Sequence, residues 1–427
     1  MSRLPDHPLR HAMVDELHAR PFPVLGAPCQ VVYFAIKEPK DARKRDRERD
    51  RAHLIGLLDQ FGVNHPEPHA THFNASLGNT DLKWESHTEF VTYSAFTPVL
   101  DTHPFDPAGA AVLPPEWLAK APGQTMVAMM IRVEDLPDHE DQILPSLLDW
   151  FAAESLAVSY VLDGAAVIAG DFCIDAAGFM RFAVFVRKGT GTRRIGRIVQ
   201  RLCELETYRA ASMLGLPRAW ELSGELNALD PRLSTLVSGL DERGESAEEA
   251  LHELLSIAAQ LERLAVQTSF RLPATAAYEA IVNQRISVLR ETRFQGRQTF
   301  AEFMMRRYDP AMRTVRATEA RLNLMADRAA RAAELLRTRV DVTRSAQNQQ
   351  LLQSMDTRAD MALRLQHTVE GLSVIAISYY VLELMAYLTA PLAEEQHIPK
   401  VWMMAGAVPV VLLLVWAGIR RLRARVR

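Results

Sequence analysis

Two apolar runs near the C-terminus, Leu372 to Leu392 and Val401 to Ile419, constrain this chain more than any other feature. Each is about 20 residues long, and at 1.5 Å per residue that is enough helix to cross the hydrocarbon core of a bilayer. Only the short polar connection Ala393 to Lys400 separates them. The pair therefore reads as a transmembrane hairpin over 371–419. Trp402 and Trp416 fall near the two ends of the second run, where amphipathic rings favour the boundary between water and lipid. Arg420, Arg421, Arg423, Arg425 and Arg427 follow at once, and Arg358 and Arg364 precede the first run. The connection holds Glu394, Glu395 and His397 with a single lysine. Excess positive charge stays in the cytoplasm, so both termini are expected inside and only a handful of residues outside. A buried helical hairpin in a soluble core is the alternative that such runs also satisfy.

Most of the chain should nevertheless sit in water. At 427 residues it exceeds one typical domain. Its mean hydropathy of -0.07 averages a polar majority with a lipid-facing minority. The formal charge of -3 gives no overall attraction to nucleic acid, so no nucleic-acid partner is expected. Cys29, Cys173 and Cys203 lie far apart and form neither a CxxC pair nor a disulfide framework, which suits a reducing cytoplasm. Met1 to Arg20 carries charge throughout and no apolar h-region. No secretory signal is expected, and insertion falls to the hairpin.

Up to about Thr192 the pattern is that of a cytoplasmic α/β domain, 1–192. Cys29 to Ile36, Pro68 to Ala75, Leu82 to Glu85, Glu89 to Phe96, Met126 to Val133, Val158 to Ala169 and Asp171 to Arg187 read as strands, rich in β-branched and aromatic residues, with Asp175-Ala176-Ala177-Gly178 as a turn between alternating segments. Ser86 and His87 fall between two strands close enough to pair as a hairpin. Met13 to His18, Asp41 to Phe61 and Pro145 to Leu156 read as helices, and the Pro-rich stretch Asp101 to Pro122 as loop. The basic run Lys40 to Arg51 could be a nucleic-acid patch, but Asp41, Asp46, Glu48 and Asp50 interrupt it, which favours a solvated face. Strands interleaved with helices predict a mixed sheet with helices packed on it.

After about Arg193 strand signals stop, and 193–310 reads as a helical domain. Ile195 to Leu214, Arg218 to Leu240, Ala247 to Ser269 and Ala274 to Arg307 carry apolar residues at helical spacing, with Pro231 expected to break the second. From Ala311 to Leu392 one helix is expected, about 120 Å long, whose part 311–370 is a stalk. Leu322, Met325, Ala329, Ala332 and Leu336, and then Leu352, Met355, Ala359 and Ala362, alternate spacings of three and four. That is a coiled-coil or bundle seam, weakened over Val340 to Gln350, and it predicts a homo-oligomer. Residues 420–427 form a basic cytoplasmic tail.

Glu383 falls near the middle of the first span, where an ionised carboxylate is costly unless paired or wet. Ser373, Tyr380 and Tyr387 are spaced by seven, and Glu383 adjoins the last two, so one face of the span is polar. With several subunits facing this stripe inward, Glu383 would form an acidic ring that attracts cations, and Glu394 and Glu395 would stand at its mouth. The alternative is a protonated Glu that joins helices by hydrogen bonding. His87 and Glu89 share a strand face and could ligate a metal, whereas His69 and His72, three apart, point to opposite faces. Ordinary hydrogen-bonded side chains are the competing reading. Arg187, Lys188, Arg193 and Arg194 flank Gly189-Thr190-Gly191 at the start of a helix, where backbone amides can hold an anion. The stretch lacks the GKS or GKT of a P-loop, and a flexible basic connector fits it as well. No nucleophile set or phosphate loop stands out, so neither enzymatic activity nor a cofactor is expected beyond a divalent cation.

Three stretches carry a resemblance: Glu16-Leu17-His18-Ala19-Arg20-Pro21, Trp84-Glu85-Ser86-His87-Thr88-Glu89-Phe90, and His367-Thr368-Val369-Glu370-Gly371-Leu372-Ser373 leading to Tyr379-Tyr380. Together they resemble a bacterial family of uncharacterised membrane-anchored proteins, over nearly the whole chain. The resemblance implies the inner (plasma) membrane as location and no known activity. The plan of α/β domain, stalk, two spans and basic tail is also similar to the CorA-type magnesium channels. Those end their first span in Tyr-Gly-Met-Asn. Here Tyr387-Leu388-Thr389-Ala390-Pro391 keeps only the Tyr. The expected function is an oligomeric divalent-cation channel, transporter or sensor; the alternative is a membrane-anchored binding or scaffold protein without transport.

Overall fold

The segment Cys29–Lys37 (β1) is nearly all β-branched, aromatic or small, and its side chains are buried on both faces. A strand of that kind belongs in the middle of a sheet covered on both sides. The computed structural model describes residues 4, 6–11, 13–14, 21–39, 45–100, 103–239, 247–395 and 400–426, of which 389–395, 400, 403 and 422–426 are described by backbone alone. The chain falls into two compact units, Met1–Asp241 with His252–Ala332, and Glu242–Leu251 with Ala333–Arg427.

In the first unit β1 is joined by β2 (His72–Leu77), β3 (Thr80–Ser86), β4 (Phe90–Thr97), β5 (Gln124–Asp135), β6 (Ala157–Val161), β7 (Ala166–Ile174), β8 (Met180–Val186) and β9 (Thr292–Arg293). They form one sheet in the order β2-β3-β4-β1-β5-β8-β7-β6-β9. Every neighbouring pair is antiparallel except β5 with β8, so the sheet is mixed, as the sequence predicts. Helix α1 (Arg47–Phe61) follows β1, the short α2 (Pro115–Leu118) precedes β5, and α3 (Ile143–Trp150) follows β5. Each half of the sheet is thus a strand, a helix and three further strands, with the first strand laid beside the last. The halves differ in one respect: β1 runs against β4, whereas β5 runs with β8.

The two sheet faces divide the core. On one, Leu54, Leu57 and Leu58 of α1 pack with Leu82, Trp84 and Tyr93 of β3 and β4. On the other lie α4 (Thr192–Met213), which packs on β5, and α7 (Arg271–Leu289), which packs on α4. The remaining helices are α5 (Gly215–Ser238), α6 (Ala247–Thr268), α8 (Phe300–Arg307), α9 (Asp309–Glu395) and α10 (Lys400–Val426). The 87-residue α9 bears out the single long helix expected from Ala311 to Leu392.

Four local readings are corrected. Val158 to Ala169 is a hairpin rather than one strand, because Leu162, Asp163 and Gly164 turn through positive φ of 52°, 61° and 78°. Apolar residues on either side hide that turn in the sequence. Pro231 sits inside α5 without breaking it. Leu226, Leu229, Leu233 and Leu236 stay buried along one face, and Arg321 of α9 tethers Asn227 at 2.6 Å and Asp230 at 2.7 Å. Ala274 to Arg307 is not one helix. Arg290 ends α7 in the left-handed region, and Thr292–Arg293 adds a strand to the sheet edge beyond the point where strand signals stop. Thr299 and Glu302 then open α8 with a capping box. Finally, β2 begins at His72, because His69, with φ 66°, lies in the preceding turn.

Candidate functional site

Helices α9 and α10 both contain a window long and apolar enough to cross a membrane, with mean hydropathy 1.6 and 1.5 and only 6% of each window buried. In the first, the covered side is marked by Ser378, which is 2% exposed. Among the described residues its hydroxyl has no hydrogen-bond partner. At 100° per residue, Tyr380, Glu383 and Tyr387 lie about 140–200° round the helix from Ser378. All three are exposed, and Ser373 is half-buried. Tyr380, Glu383 and Tyr387 therefore share one uncovered face, and Ser373 lies along the same side where it is half covered. Ser373 donates its hydroxyl to the Val369 carbonyl at 2.8 Å, satisfying a polar group without leaving the helix. Glu394 and Glu395 continue the helix as backbone, and their side chains and His397 lie outside the described residues.

The stalk seam divides into two parts. Leu322, Met325, Ala329, Ala332 and Leu336 are all buried, at 4% exposure or less. Arg321 and Arg328 of that stretch bond to Asn227, Asp230 and Ser234 of α5, so this part of the seam is used within the chain. Leu352, Met355, Ala359 and Ala362 are exposed.

His87 and Glu89 stand at the β3–β4 turn. Glu89 is 2% exposed, and its carboxylate takes up Arg271, accepts from the Tyr278 hydroxyl at 2.9 Å and lies 3.8 Å from the Lys37 ammonium. Burial pushes the Lys37 ammonium down, against the pull of Glu89. Burial and then the adjacent Glu89 push the Tyr278 phenol up. Glu89 is thus the centre of a cationic cage, whereas the His87 ring packs on Phe90 at 4.6 Å. Among the described residues no three His, Cys, Asp or Glu gather as a metal would need.

The basic stretch leads into α4 at Thr192, as its spacing predicts. Arg187 pairs with Glu140 at 3.3 Å and Lys188 with Asp138 at 2.9 Å, while Arg194 donates to the Leu162 carbonyl at 2.6 Å. Arg193 is exposed. Three of these four cations therefore serve the local loop. The motif Glu16 to Arg20 lies outside the described residues, but the following Pro21 to Leu25 packs along α4. Leu25 donates its amide to the Thr192 carbonyl at 3.2 Å. The Pro23 carbonyl sits on Gly196, where any Cβ would come within 1.7 Å of it.

Sequence reasoning missed one group: Lys83 and Glu85, 5% and 9% exposed, and Glu204 with Arg285. The signal available was that Lys83 and Glu85 alternate with Leu82 and Trp84, giving β3 a charged face that a buried strand has no ordinary use for. No curated protein matches the chain at the level that marks a relative. Residues 5–426, nearly its whole length, match the family described as Protein of unknown function (DUF3422), and the chain belongs to that family.

Proposed function

We propose that this protein is anchored in the bacterial inner membrane by the α9–α10 hairpin, assembles as a homo-oligomer through the exposed half of the α9 seam, and there forms a path for a divalent cation. One observation carries the reading. The exposed apolar positions Leu352, Met355, Ala359 and Ala362 continue in unbroken steps of three and four through Gln366, Val369, Ser373, Ala376, Tyr380, Glu383 and Tyr387. The next steps are Ala390 and Glu394. The face that is apolar in water is therefore the face that is polar in the membrane-length segment. On a straight helix a heptad stripe drifts by about 20° per repeat, and supercoiling around identical partners removes the drift. Copies wound along this seam would bring Glu383 to the axis in every subunit. An acidic ring in lipid is costly unless a cation or water occupies it, which suits conduction or sensing.

The arrangement has the plan of the CorA-type channels, with Glu383 and the Glu394–Glu395 mouth in place of their signature. It involves no enzymatic step, cofactor or nucleic acid. Mass measurement in detergent and flux of Mg2+ or Co2+ into reconstituted vesicles test it. The expected result is an oligomer of at least three subunits that dissociates in Leu352→Asn/Met355→Asn, and a flux lost in Glu383→Gln. A monomer or dimer, or wild-type vesicles without flux, overturns the channel and leaves a membrane tether. A flux unchanged in Glu383→Gln overturns the path.

A further inference from the structure

The first unit holds a cavity of about 290 Å³ between the sheet face formed by β1, β3 and β4 and the helix α4. The size is at the lower end for small-molecule sites. Its charges are arranged in a row. Lys83 Nζ lies 3.3 Å from Glu85 Oε1 and donates to Gln200 Oε1 at 3.0 Å. Gln200 donates in turn to Glu204 Oε1 at 2.8 Å, and Glu204 pairs with Arg285 of α7. From the sheet outward the order is acid, base, amide, acid, base. The rings of Phe22, Phe90, Phe96 and Tyr208 also line the cavity, Phe90 and Phe96 on the sheet face that carries Lys83 and Glu85.

A row of this kind under a helix costs desolvation, and well-packed apolar side chains of the same volume would serve stability as well or better. Here it borders open space instead of closing on itself. Two carboxylates and two cations sum to zero. A purely anionic ligand such as a nucleotide or phosphate would meet Glu85 and Glu204, and a purely cationic one would meet Lys83 and Arg285. A molecule with one charge of each sign, a few bonds apart, can align both with the row. The ring wall asks for an apolar remainder.

The geometry points to this cavity as the binding site of a zwitterionic small molecule, an α-amino acid with a large apolar side chain. Its carboxylate would lie against Lys83 and its ammonium against Glu204, on either side of Gln200, with its side chain under Phe22. The Pro21 to Leu25 segment brings Phe22 there because Gly196 lets the Pro23 carbonyl approach α4. The inference stands independently of the cation path.

Isothermal titration of the full-length protein in detergent tests it, with L-phenylalanine and L-leucine as zwitterions, and 3-phenylpropionate and phenethylamine as singly charged analogues. At least one zwitterion is expected to bind, at least about tenfold tighter than either analogue, the loss that one charge-assisted contact entails. Lys83→Met/Glu85→Gln removes both charges together, so no ion is left unpaired, and should weaken binding about tenfold or more. Phe22→Ala removes a ring that is 45% exposed, so the fold does not depend on it, and should also weaken binding. No heat from either amino acid overturns the proposal. So do analogues that bind as tightly as the zwitterions, or binding unchanged in both variants.

Discussion

Arg45 organises the turn that carries His87 and Glu89. Its guanidinium bonds to the Asp50 carboxylate at 2.7 Å, to the carbonyls of His87 and Phe90, and to the Ser86 hydroxyl at 3.1 Å. Both members of the Arg45–Asp50 pair are nearly inaccessible, at 3% and 5% side-chain exposure. Arg45→Ala would leave a buried carboxylate without its cation and take a donor from the His87 and Phe90 carbonyls, of which Phe90 keeps the His87 amide. A loss of about 3–5 kcal/mol is expected, measured by urea denaturation of the solubilised protein. His53 offers a second test. Its Nε2 faces the Trp117 carbonyl at 2.9 Å, which can only accept, so Nε2 carries the proton and Nδ1 accepts from Tyr93 at 3.0 Å. The neutral ring is thereby satisfied and stacked 4.0 Å from Trp117, and burial pushes its pKa down despite the Trp117 carbonyl. With the folded value below the unfolded 6.5, the unfolded chain takes up the proton first as pH falls. This contribution to stability is therefore present above pH 6.5 and is lost as pH drops below it. His53→Gln should flatten the difference in denaturation midpoint between pH 7.5 and pH 5.5, and an unchanged difference would refute the assignment. Neither residue could be singled out from sequence. Arg45 lies in a charge run that reads as solvated, and His53 meets Trp117 only when α2, 64 positions away, returns to α1.

Elements were legible where their pattern is local and failed where a neighbour overrides it. The β-branched and aromatic runs of β1, β5 and β8 are strands for the reason their composition predicts. Strand β9 is two residues long, has no pattern of its own, and exists because β6 leaves an edge to pair with. Likewise Pro231 is a helix breaker by its chemistry, yet four buried leucines and the Arg321 tether keep α5 continuous around it. Pro231→Ala restores one helical hydrogen bond and should raise stability by about 1–3 kcal/mol by the same denaturation measurement. No change, or a loss, would mean that the Asn227–Arg321 geometry needs the proline. At the same scale α9 changes role along its length. Its seam is covered within the chain up to Leu336 and exposed from Leu352, a division that periodicity alone does not show.

At the scale of the whole molecule the proposed anchor is tested by where the protein resides. The full-length chain is expected in the membrane fraction, resisting salt and alkaline carbonate and released by detergent, while a chain ending at Glu370 should stay in the supernatant. Full-length protein in the supernatant without detergent would refute the anchor. A cysteine in place of His397, with Cys173 replaced by Ser, should react with an impermeant maleimide only from outside, since Cys29 and Cys203 are buried. Burial pushes the Cys29 thiol up to about 12 and the Cys203 thiol higher, so neither competes for the label. By itself the sequence determined the membrane-length helices, the α/β-then-helical order and the heptad register from Leu352 to Tyr387. Each of these is a repeat over consecutive residues, and the solvent that repeat demands can be read without knowing the fold. Only the tertiary structure decided which charges meet: Lys83 with Gln200, Glu204 with Arg285, and Glu89 with Arg271. Those partners lie 81 to 182 residues apart, and no local pattern records a distance that packing alone creates.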